Sequence, residues 1–527
     1  MKTLPTLLLA VLSAVLYFVG FIGFDQWYLE WIALVPLLIA LNGIQSGWRA
    51  FLVSWLMGWV THLGGYYWVI HLLMTFGELS EPLAVLGYLL LCLYQGGLFG
   101  VFGWLAWKLH RRSGLSIGWC APIALVATEF VYPLLFQSYT ANSQAWIPVL
   151  TQIADLGGVL GLSAVIALVN GAVAQLILAR MRRQALPRTL AFSALGVLVF
   201  TLGYGVLRIQ QMDARDAAAD KLEVAIVQAN VGGKDKHEQA VAGALRYRQM
   251  SDAVMQTGVD LVVWPESGLN DFVGPDSNLT GVIASEVKVP MIVGALRIDT
   301  DPQLRNAQTR YWNSILGVAR GGAVNGSYDK VKLLLFGETL PAYDLVPGFY
   351  RWLLQQGILP YVSVFSRGTT RAPLPVDQYR ISADVCLEDI LPRHIRALMG
   401  PIDSRGTRPH AMFNGTNDSW YGPVEPRIHL ALSTFRSIEH RRWLIRSTAT
   451  GISAFIDSSG RIVQRGRFEQ AQTLVQEVPM IVGGATLYGV IGDTLGWLAL
   501  VFASIAILRG RLPWARTAGH QKGPASE

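Results

Sequence analysis

Ile381-Ser-Ala-Asp-Val-Cys386-Leu-Glu-Asp389 reads as a short apolar strand that ends in a thiol, with two carboxylates just beyond it. Cys386 is one of three cysteines. The other two, Cys92 and Cys120, lie in long apolar runs, where a thiol usually serves as a small inert hydrophobe. Cys386 thus has no disulfide partner in the polar part of the chain and cannot anchor a multi-cysteine metal site. A lone thiol at a strand end is either packing material or a nucleophile, and counting alone favours packing. The neighbouring sequence shifts that balance.

Working outward, the region from Leu222 is a succession of short β runs. They include Val224–Asn230, Asp260-Leu-Val-Val-Trp-Pro-Glu266, Met291–Leu296, Asn313–Val318, Met412–Asn417, Leu444–Thr448, Ser453–Asp457 and Leu474–Val478. Helical stretches are expected over Glu238–Thr257 and Arg427–Glu439. Strands alternating with helices predict layered α/β packing, and the region is long enough for its own core. Three polar residues fall at or near ends of apolar strands: Glu266, Lys330 and Cys386. Strand ends are where α/β folds present catalytic groups. A carboxylate can take the thiol proton, the thiolate can attack a carbonyl to form a thioester, and an ammonium can favour the thiolate and stabilise the oxyanion. Singly, a Glu after Trp-Pro is more often a solvated carboxylate, and a Lys in Lys330-Val-Lys332 is more often surface charge. Their order, with a single available thiol, raises the joint reading. A Cys–His pair with His394 or His440 is conceivable, but no spacing favours it. Arg436, His440, Arg441 and Arg442 read mainly as a solvated helix face or carboxylate partners.

The remainder of the chain is of another kind. Of 527 residues, 52% are hydrophobic and only 15% charged, which points to an integral membrane protein with a substantial polar part. Runs long enough to span a bilayer fall near Leu4–Phe24, Tyr28–Ile44, Ala50–Leu73, Pro82–Leu109, Ile117–Phe136, Gly157–Leu178, Thr189–Leu207 and Thr486–Leu508. The first is too long for a signal peptide and lacks a small-x-small cleavage site, so it is expected to be a retained helix. His62, His71, Gln95 and Glu129 within the spans are expected mainly to hydrogen-bond between helices. Lys2, Arg49, Lys108 with Arg111 and Arg112, Arg180 to Arg188, and Arg509 with Arg511 and Arg516 occupy every second connection. That alternation places both termini in the cytoplasm and the polar region outside. The formal charge of +7 is accounted for by topology, not nucleic-acid binding. The expected division is 1–210 as a helical membrane domain of seven spans, 211–484 as the catalytic domain, 485–510 as an eighth span, and 511–527 as a basic cytoplasmic tail. No Walker, Rossmann or His-Glu-x-x-His pattern occurs, and the chemistry calls for no metal or other cofactor.

The order Trp264-Pro-Glu-Ser267, Tyr328-Asp-Lys330-x-x-Leu333 with Phe336-Gly-Glu338, Cys386-x-Glu388 and Asn417-Asp-Ser-Trp-Tyr-Gly422 resembles the nitrilase, or carbon–nitrogen hydrolase, superfamily. With the helical part in front and the helix behind, the chain is similar to the apolipoprotein N-acyltransferase family within it. The resemblance implies a nitrilase-like αββα sandwich on about eight transmembrane helices of a bacterial inner membrane, facing the periplasm. It implies that Glu266 is the base, Lys330 the catalytic lysine and Cys386 the nucleophile, with Glu338 and Glu388 supporting them. Leu387, Trp420, Tyr421 and His237 are candidate substrate contacts. The implied partners are a phospholipid acyl donor, a diacylated lipoprotein acceptor and the bilayer, for a monomer. Three departures stand out: no proline precedes Phe336, Leu387 replaces a common Tyr, and His237 falls near a usual Trp. Competing readings are a membrane-bound amide hydrolase and a non-catalytic lipoprotein-binding protein. The apolar segment Val346–Val364 is a candidate lid, through Phe349, Tyr350, Trp352 and Leu353, or a loop packed on the sandwich.

Overall fold

This computed structural model describes residues 3–232, 240–274, 276–299, 310–334, 337–340, 345–356 and 365–509. The chain forms two compact units. One gathers Met1–Tyr67, Val85–Leu207 and Ile491–Glu527; the other gathers Trp68–Ala84 and Arg208–Val490.

The first unit is helical. Its helices are α1 (Thr3–Gly20), α2 (Val35–Gly43) and α3 (Gly47–Gly65). After α4 (Trp68–Thr75), which belongs to the second unit, follow α5 (Glu81–Ser113), α6 (Ile117–Val131), α7 (Ala154–Met181) and α8 (Arg188–Ala218), with Thr494–Arg509 closing the described chain. Among the described residues α1, α5, α7 and α8 are long and apolar enough to cross a membrane; Trp27–Gly43, α6 and Thr494–Arg509 are shorter apolar helices. The expected spans differ from these helices in instructive places. The third run breaks after Gly64-Gly65, so α3 stops and α4 goes to the other unit. The seventh continues as one helix to Ala218. The last breaks at Gly492, whose φ of 59° suits glycine. Close packing of α3 on α5 requires glycine, since a Cβ on Gly58 would lie 2.3 Å from the Gly96 carbonyl oxygen. The polar groups of the apolar runs are tied, but not helix to helix as expected: His62 Nδ1 bonds to the Gly58 carbonyl oxygen and His71 to Thr75, each within its own helix, and Glu129 and Gln95 hold backbone outside the α-helices. Glu129 Oε1 accepts from the Thr140 backbone N–H at 2.7 Å, and Gln95 Oε1 accepts from the Leu135 N–H at 2.9 Å.

The second unit holds two sheets. Its elements are β1 (Lys221–Gln228), α9 (Ala240–Met255), β2 (Leu261–Val263), β3 (Leu269–Val273), β4 (Met291–Asp299), β5 (Arg310–Val318) and β6 (Val324–Asp329). There follow α10 (Pro347–Gln355), β7 (Leu374–Val376), β8 (Tyr379–Val385), α11 (Pro392–Leu398), β9 (Ala411–Thr416), α12 (Glu425–His440), β10 (Leu444–Thr448), β11 (Ala454–Ile456), β12 (Ile462–Arg465) and β13 (Gln472–Pro479). The first sheet runs β13-β1-β2-β4-β5-β6, with β3 beside β4; the second runs β12-β11-β10-β9-β8-β7. Both have parallel centres, β1-β2-β4 and β8-β9-β10, with antiparallel flanks. The central strands are buried along their length, so they lack the alternation of a half-exposed strand; β2 is wholly apolar, whereas β9 and β10 turn polar towards their C-terminal ends. β1 faces β10 and β5 faces β8, while α9 covers the first sheet and α11 and α12 the second. The result is a four-layer α-β-β-α sandwich.

Trp264 anchors the first sheet to its helix layer. It is fully buried, packs on Tyr247 with centroids 4.8 Å apart, and donates its indole N–H to Ser251 Oγ at 2.8 Å. Truncating such a residue costs about 3–5 kcal/mol. Of the two expectations for Arg436–Arg442, the solvated face is corrected and the carboxylate partner holds for Arg436. Arg436, Arg441 and Arg442 are buried, because the end of α12 and nearby carbonyls need donors. Arg436 pairs with Glu439 at 3.0 Å, and Arg442 donates to the carbonyls of Pro409 and Gly483.

Candidate active site

Each candidate group sits just beyond a strand. β2 ends at Val263, and Trp-Pro carries the chain to Glu266; Lys330 follows β6 and Cys386 follows β8. Space for the Glu266 turn comes from Gly294 on β4: a Cβ there would lie 2.1 Å from the Pro265 carbonyl oxygen and 2.7 Å from Glu266 Cα. Lys330 is held through its predecessor. Asp329 accepts two hydrogen bonds from Arg297, at 2.9 and 2.7 Å, and one from Ser314 Oγ at 2.7 Å. Cys386 opens a tight helical turn, Cys386–Glu388, with φ at 56°. A non-glycine residue in that region costs of order 1–3 kcal/mol and persists only where its surroundings hold it.

The structure brings four of the expected groups into one buried cluster. Lys330 Nζ lies 2.8 Å from Glu338 Oε2 and 3.8 Å from Glu266 Oε1. Asn313, on β5, joins the two carboxylates: its Nδ2 donates to Glu266 Oε1 at 2.7 Å and to Glu338 Oε1 at 2.8 Å. Glu338 Oε2 also accepts from the Leu334 N–H at 2.9 Å. Glu266 Oε2 is buried and, among the described residues, without a hydrogen-bond partner. Burial, then the Glu266 carboxylate, push the Cys386 thiol well above its ordinary range, while Lys330 and the Thr416 hydroxyl pull it back. The resting sulfur is therefore protonated. Burial alone would lower the Lys330 ammonium, but the Glu338 carboxylate, with that of Glu266, outweighs it and holds the pKa above the usual range.

Glu388 has no solvent exposure and does not face the cluster as a free carboxylate. Its Oε1 accepts from the backbone N–H groups of Val331 and Lys332 at 2.8 and 2.7 Å; its Oε2 accepts from the Val385 N–H at 3.0 Å and Tyr328 Oη–H at 2.8 Å. It therefore ties the loop after Lys330 to the turn of Cys386. Burial pushes its pKa up to about 7. His394 bonds to Tyr328 Oη at 2.9 Å and lies 3.3 Å from Glu388, so its partners are these residues. Leu387 is half-buried beside Cys386. Tyr421 is buried, and burial, then the neighbouring Cys386, Glu425 and other acids, raise its pKa well above the phenol range. Trp68 packs edge-on to Tyr421 at 5.8 Å, and Phe76 edge-on to Trp420 at 5.1 Å. His237 and the residues around the missing proline, 335–336, lie outside the described residues, as does 357–364 of the candidate lid.

Sequence reasoning missed Asn313 and a second polar layer behind Cys386, made of Asp389, Asn414, Asp418, His429 and Arg446. The available signals were a polar pair opening the apolar run Asn313–Val318 and a lone arginine inside Leu444–Thr448. Carboxylate or imidazole atoms of Asp418, Glu425 and His429 fall within 4.8 Å of one another, a spacing that could hold a metal ion. Here Arg446 Nη2 lies 3.1 Å from Asp418. Burial and Arg446 would lower the His429 imidazole, but Asp389 and Asp418 raise its pKa to about 10. A protonated imidazole is a donor, not a ligand.

The two-sheet α/β sandwich, with a thiol, an ammonium and a carboxylate just beyond its strands, is that of a carbon–nitrogen hydrolase domain. Residues 223–486 match the carbon–nitrogen hydrolase family, and residues 13–172 match the apolipoprotein N-acyltransferase N-terminal domain. The chain belongs to the apolipoprotein N-acyltransferase family. It is 30% identical over 516 residues to "Apolipoprotein N-acyltransferase" of Geobacter metallireducens, covering 94% of each chain. It is 29% identical over 503 residues to the protein of that name from Pseudomonas paraeruginosa, covering 90% of each. Among solved structures it is similar to Saccharomyces cerevisiae Nit3, a nitrilase superfamily member, at 16% identity and TM-score 0.35, covering 49% of this chain and 90% of that one.

Proposed function

We propose that this protein moves a fatty acyl chain from a phospholipid to the N-terminal amine of a diacylglyceryl-cysteine on a lipoprotein, through a thioester on Cys386. The observation that carries the chemistry is the free Oε2 of Glu266 in a cluster where the thiol rests protonated. Glu266 takes the thiol proton as the sulfur attacks the ester carbonyl. Lys330, held charged by Glu338, stabilises the oxyanion. Collapse breaks the ester C–O bond, and the Glu266 carboxyl returns its proton to the departing lysophospholipid oxygen. The acceptor amine then attacks the thioester and gives a proton to Glu266; the C–S bond breaks, and Cys386 regains its proton. Glu388 holds the Lys330 loop against the Cys386 turn, and Leu387, Trp420 and Tyr421 border the path of the acceptor.

The membrane setting is part of the same reading. Eight spans with both termini cytoplasmic put 211–484 on the periplasmic side of a bacterial inner membrane. The alternation of loop charge supports this topology, and the four long apolar helices support a membrane setting. Both substrates are then membrane-anchored, which gives a reason to tether the sandwich to a helical platform. The test is intact-protein mass spectrometry after incubation with phospholipid, beside Cys386→Ala. The expected result is one added acyl mass, absent from the variant and discharged by a diacylglyceryl peptide. No adduct in a folded protein across several phospholipids would overturn the donor chemistry. Discharge by water at the same rate as by the amine would favour the hydrolase.

A further inference from the structure

Behind the nucleophile, the register of the second sheet sets three polar residues side by side. Asp384 pairs with Asn414 across β8 and β9, and Asn414 pairs with Arg446 across β9 and β10. In the middle of a buried sheet, a charged row needs a reason. Arg446 has no solvent exposure. Its Nη1 donates to Asn414 Oδ1 and to Asp389 Oδ2, both at 2.9 Å, and its Nη2 donates to Asp418 Oδ2 at 3.1 Å. Asp389 lies three residues after Cys386, in the same turn. Asp418 lies in the turn that carries Trp420 and Tyr421. One guanidinium thus joins the turn of the nucleophile to the turn on its acceptor side.

The link reaches the nucleophile in two bonds. Asn414 Nδ2 donates to the Cys386 carbonyl oxygen at 3.0 Å and to Asp384 Oδ1 at 2.6 Å. An amide can sit either way round. Arg446 on the oxygen side, with Asp384 and the Cys386 carbonyl on the nitrogen side, permits only one. Cys386 needs such a hold, since its φ of 56° is strained for a residue with a side chain. His429 closes the layer from α12, with Nε2 2.8 Å from Asp389 Oδ1 and Nδ1 3.3 Å from Asp418 Oδ1. Ser433 Oγ also donates to Asp389 Oδ2.

We propose that Arg446 is a positioning residue: through Asn414 it fixes the backbone of Cys386 in the conformation that aims the sulfur at Glu266 and Lys330. The inference rests on Cys386 being the nucleophile of the proposed acyl transfer. A lysine in its place keeps the charge but cannot hold Asp389, Asn414 and Asp418 at once, because it lacks the planar fork.

The experiment compares Arg446→Lys and Asn414→Ser in the full-length protein. It reads the alkylation rate of Cys386 by iodoacetamide, resolved by peptide mass spectrometry from Cys92 and Cys120, together with kcat, KM and Tm. Both variants are expected to lose alkylation rate and kcat in parallel, by roughly 10- to 100-fold, as a slight misplacement of a reacting group does. KM should stay within about twofold, and the double variant should be no worse than the poorer single, as for members of one linkage. Asn414→Ser leaves both carboxylate pairs of Arg446 in place, so it decides the matter if Arg446→Lys fails to fold. A folded Asn414→Ser with wild-type alkylation and kcat would overturn the proposal. So would losses that follow only the folded fraction. Alkylation needs no acyl donor. A fall in alkylation in a protein whose wild type transfers no acyl group would therefore sustain the positioning role and sink the acyltransferase reading.

Discussion

Asn313→Ala should cripple the first half-reaction while leaving the thiol in place. Asn313 spends both amide hydrogens on the carboxylates beside Lys330, at 2.7 Å to Glu266 and 2.8 Å to Glu338. A hydrogen bond to a charged group contributes about 1.5–3 kcal/mol, and only the bond to Glu266 bears on the base directly. At about 1.4 kcal/mol per tenfold, acylation should slow by roughly 10- to 150-fold. Asn313→Asp gives a sharper contrast, because it keeps the shape and replaces two donors with charge. At about 3 Å and an effective dielectric of about 20, repulsion from one neighbouring carboxylate is on the order of 5 kcal/mol, and the Lys330 ammonium beside both offsets that from the other. The new carboxyl relieves this by taking up a proton, which restores one donor. Asn313→Asp should therefore be slower than Asn313→Ala at pH 8 and recover part of the difference as the pH falls towards 6. The assay is single-turnover acylation of Cys386 by phospholipid, followed by intact-protein mass spectrometry, with Tm measured alongside. Acylation of folded Asn313→Ala within threefold of wild type would refute the reasoning, as would an Asn313→Asp variant faster than Asn313→Ala at pH 8.

Gly294→Ala places a methyl 2.1 Å from the Pro265 carbonyl oxygen, so either β4 or the Glu266 turn must move. Overpacking of this kind costs about 1–3 kcal/mol, and a lower Tm with slower acylation is expected; unchanged acylation would mean that this spacing does not place Glu266. His429 is raised to about 10 by Asp389 and Asp418 against burial and Arg446. Its folded pKa lies above its unfolded value, so its contribution is complete below about pH 6.5 and is lost as the pH rises through 10. Tm should fall between pH 7 and 10 in the wild type and less steeply in His429→Gln; equal slopes would contradict the pairing. Phe349 and Trp352 are half-exposed on α10, with stacked rings 6.2 Å apart. Replacing both with Ser should slow acylation from phospholipid vesicles more than from a soluble thioester, and equal losses would argue against a lipid-facing role.

The strand ends were legible because an apolar run followed by a polar residue shows in one dimension. Glu266, Lys330 and Cys386 could be picked out that way, and the layered α/β packing followed from the same runs. Asn313 and Arg446 could not, since their meaning lies in register. Nothing along the chain says that Asn414 sits beside Arg446 on one side and Asp384 on the other. The arginines at the end of α12 were misread for a related reason. In sequence they look like a solvated face, yet they donate to backbone carbonyls left open where helix and loops meet. Hydropathy also could not see that the third apolar run changes units at Tyr67/Trp68, because the residues on both sides are equally apolar.

The site straddles two sheets, and that sets its main mechanical difficulty. Glu266 and Lys330 follow strands of the first sheet, Cys386 a strand of the second. Backbone ladders fix distances within a sheet but not between sheets, which meet only through side chains. Apolar packing is non-directional and would tolerate small slips that a proton transfer would not. Directional ties must then do the aligning, and the structure puts them next to the chemistry. Glu388, from the Cys386 turn, grips two backbone N–H groups just past Lys330 and the hydroxyl of Tyr328 on β6. Asn313 couples the two carboxylates on the first-sheet side, and Arg446 couples the two turns on the second. If this is how alignment is kept, Glu388→Gln should be more damaging than its conservative shape suggests. Its amide would offer two donors where four donors already converge, so at least one N–H or O–H loses its acceptor. The expected result is a kcat loss of about tenfold or more, at the lower end of a charged hydrogen bond, with KM little changed. A Glu388→Gln protein that kept wild-type kcat would show that apolar contact between the sheets suffices.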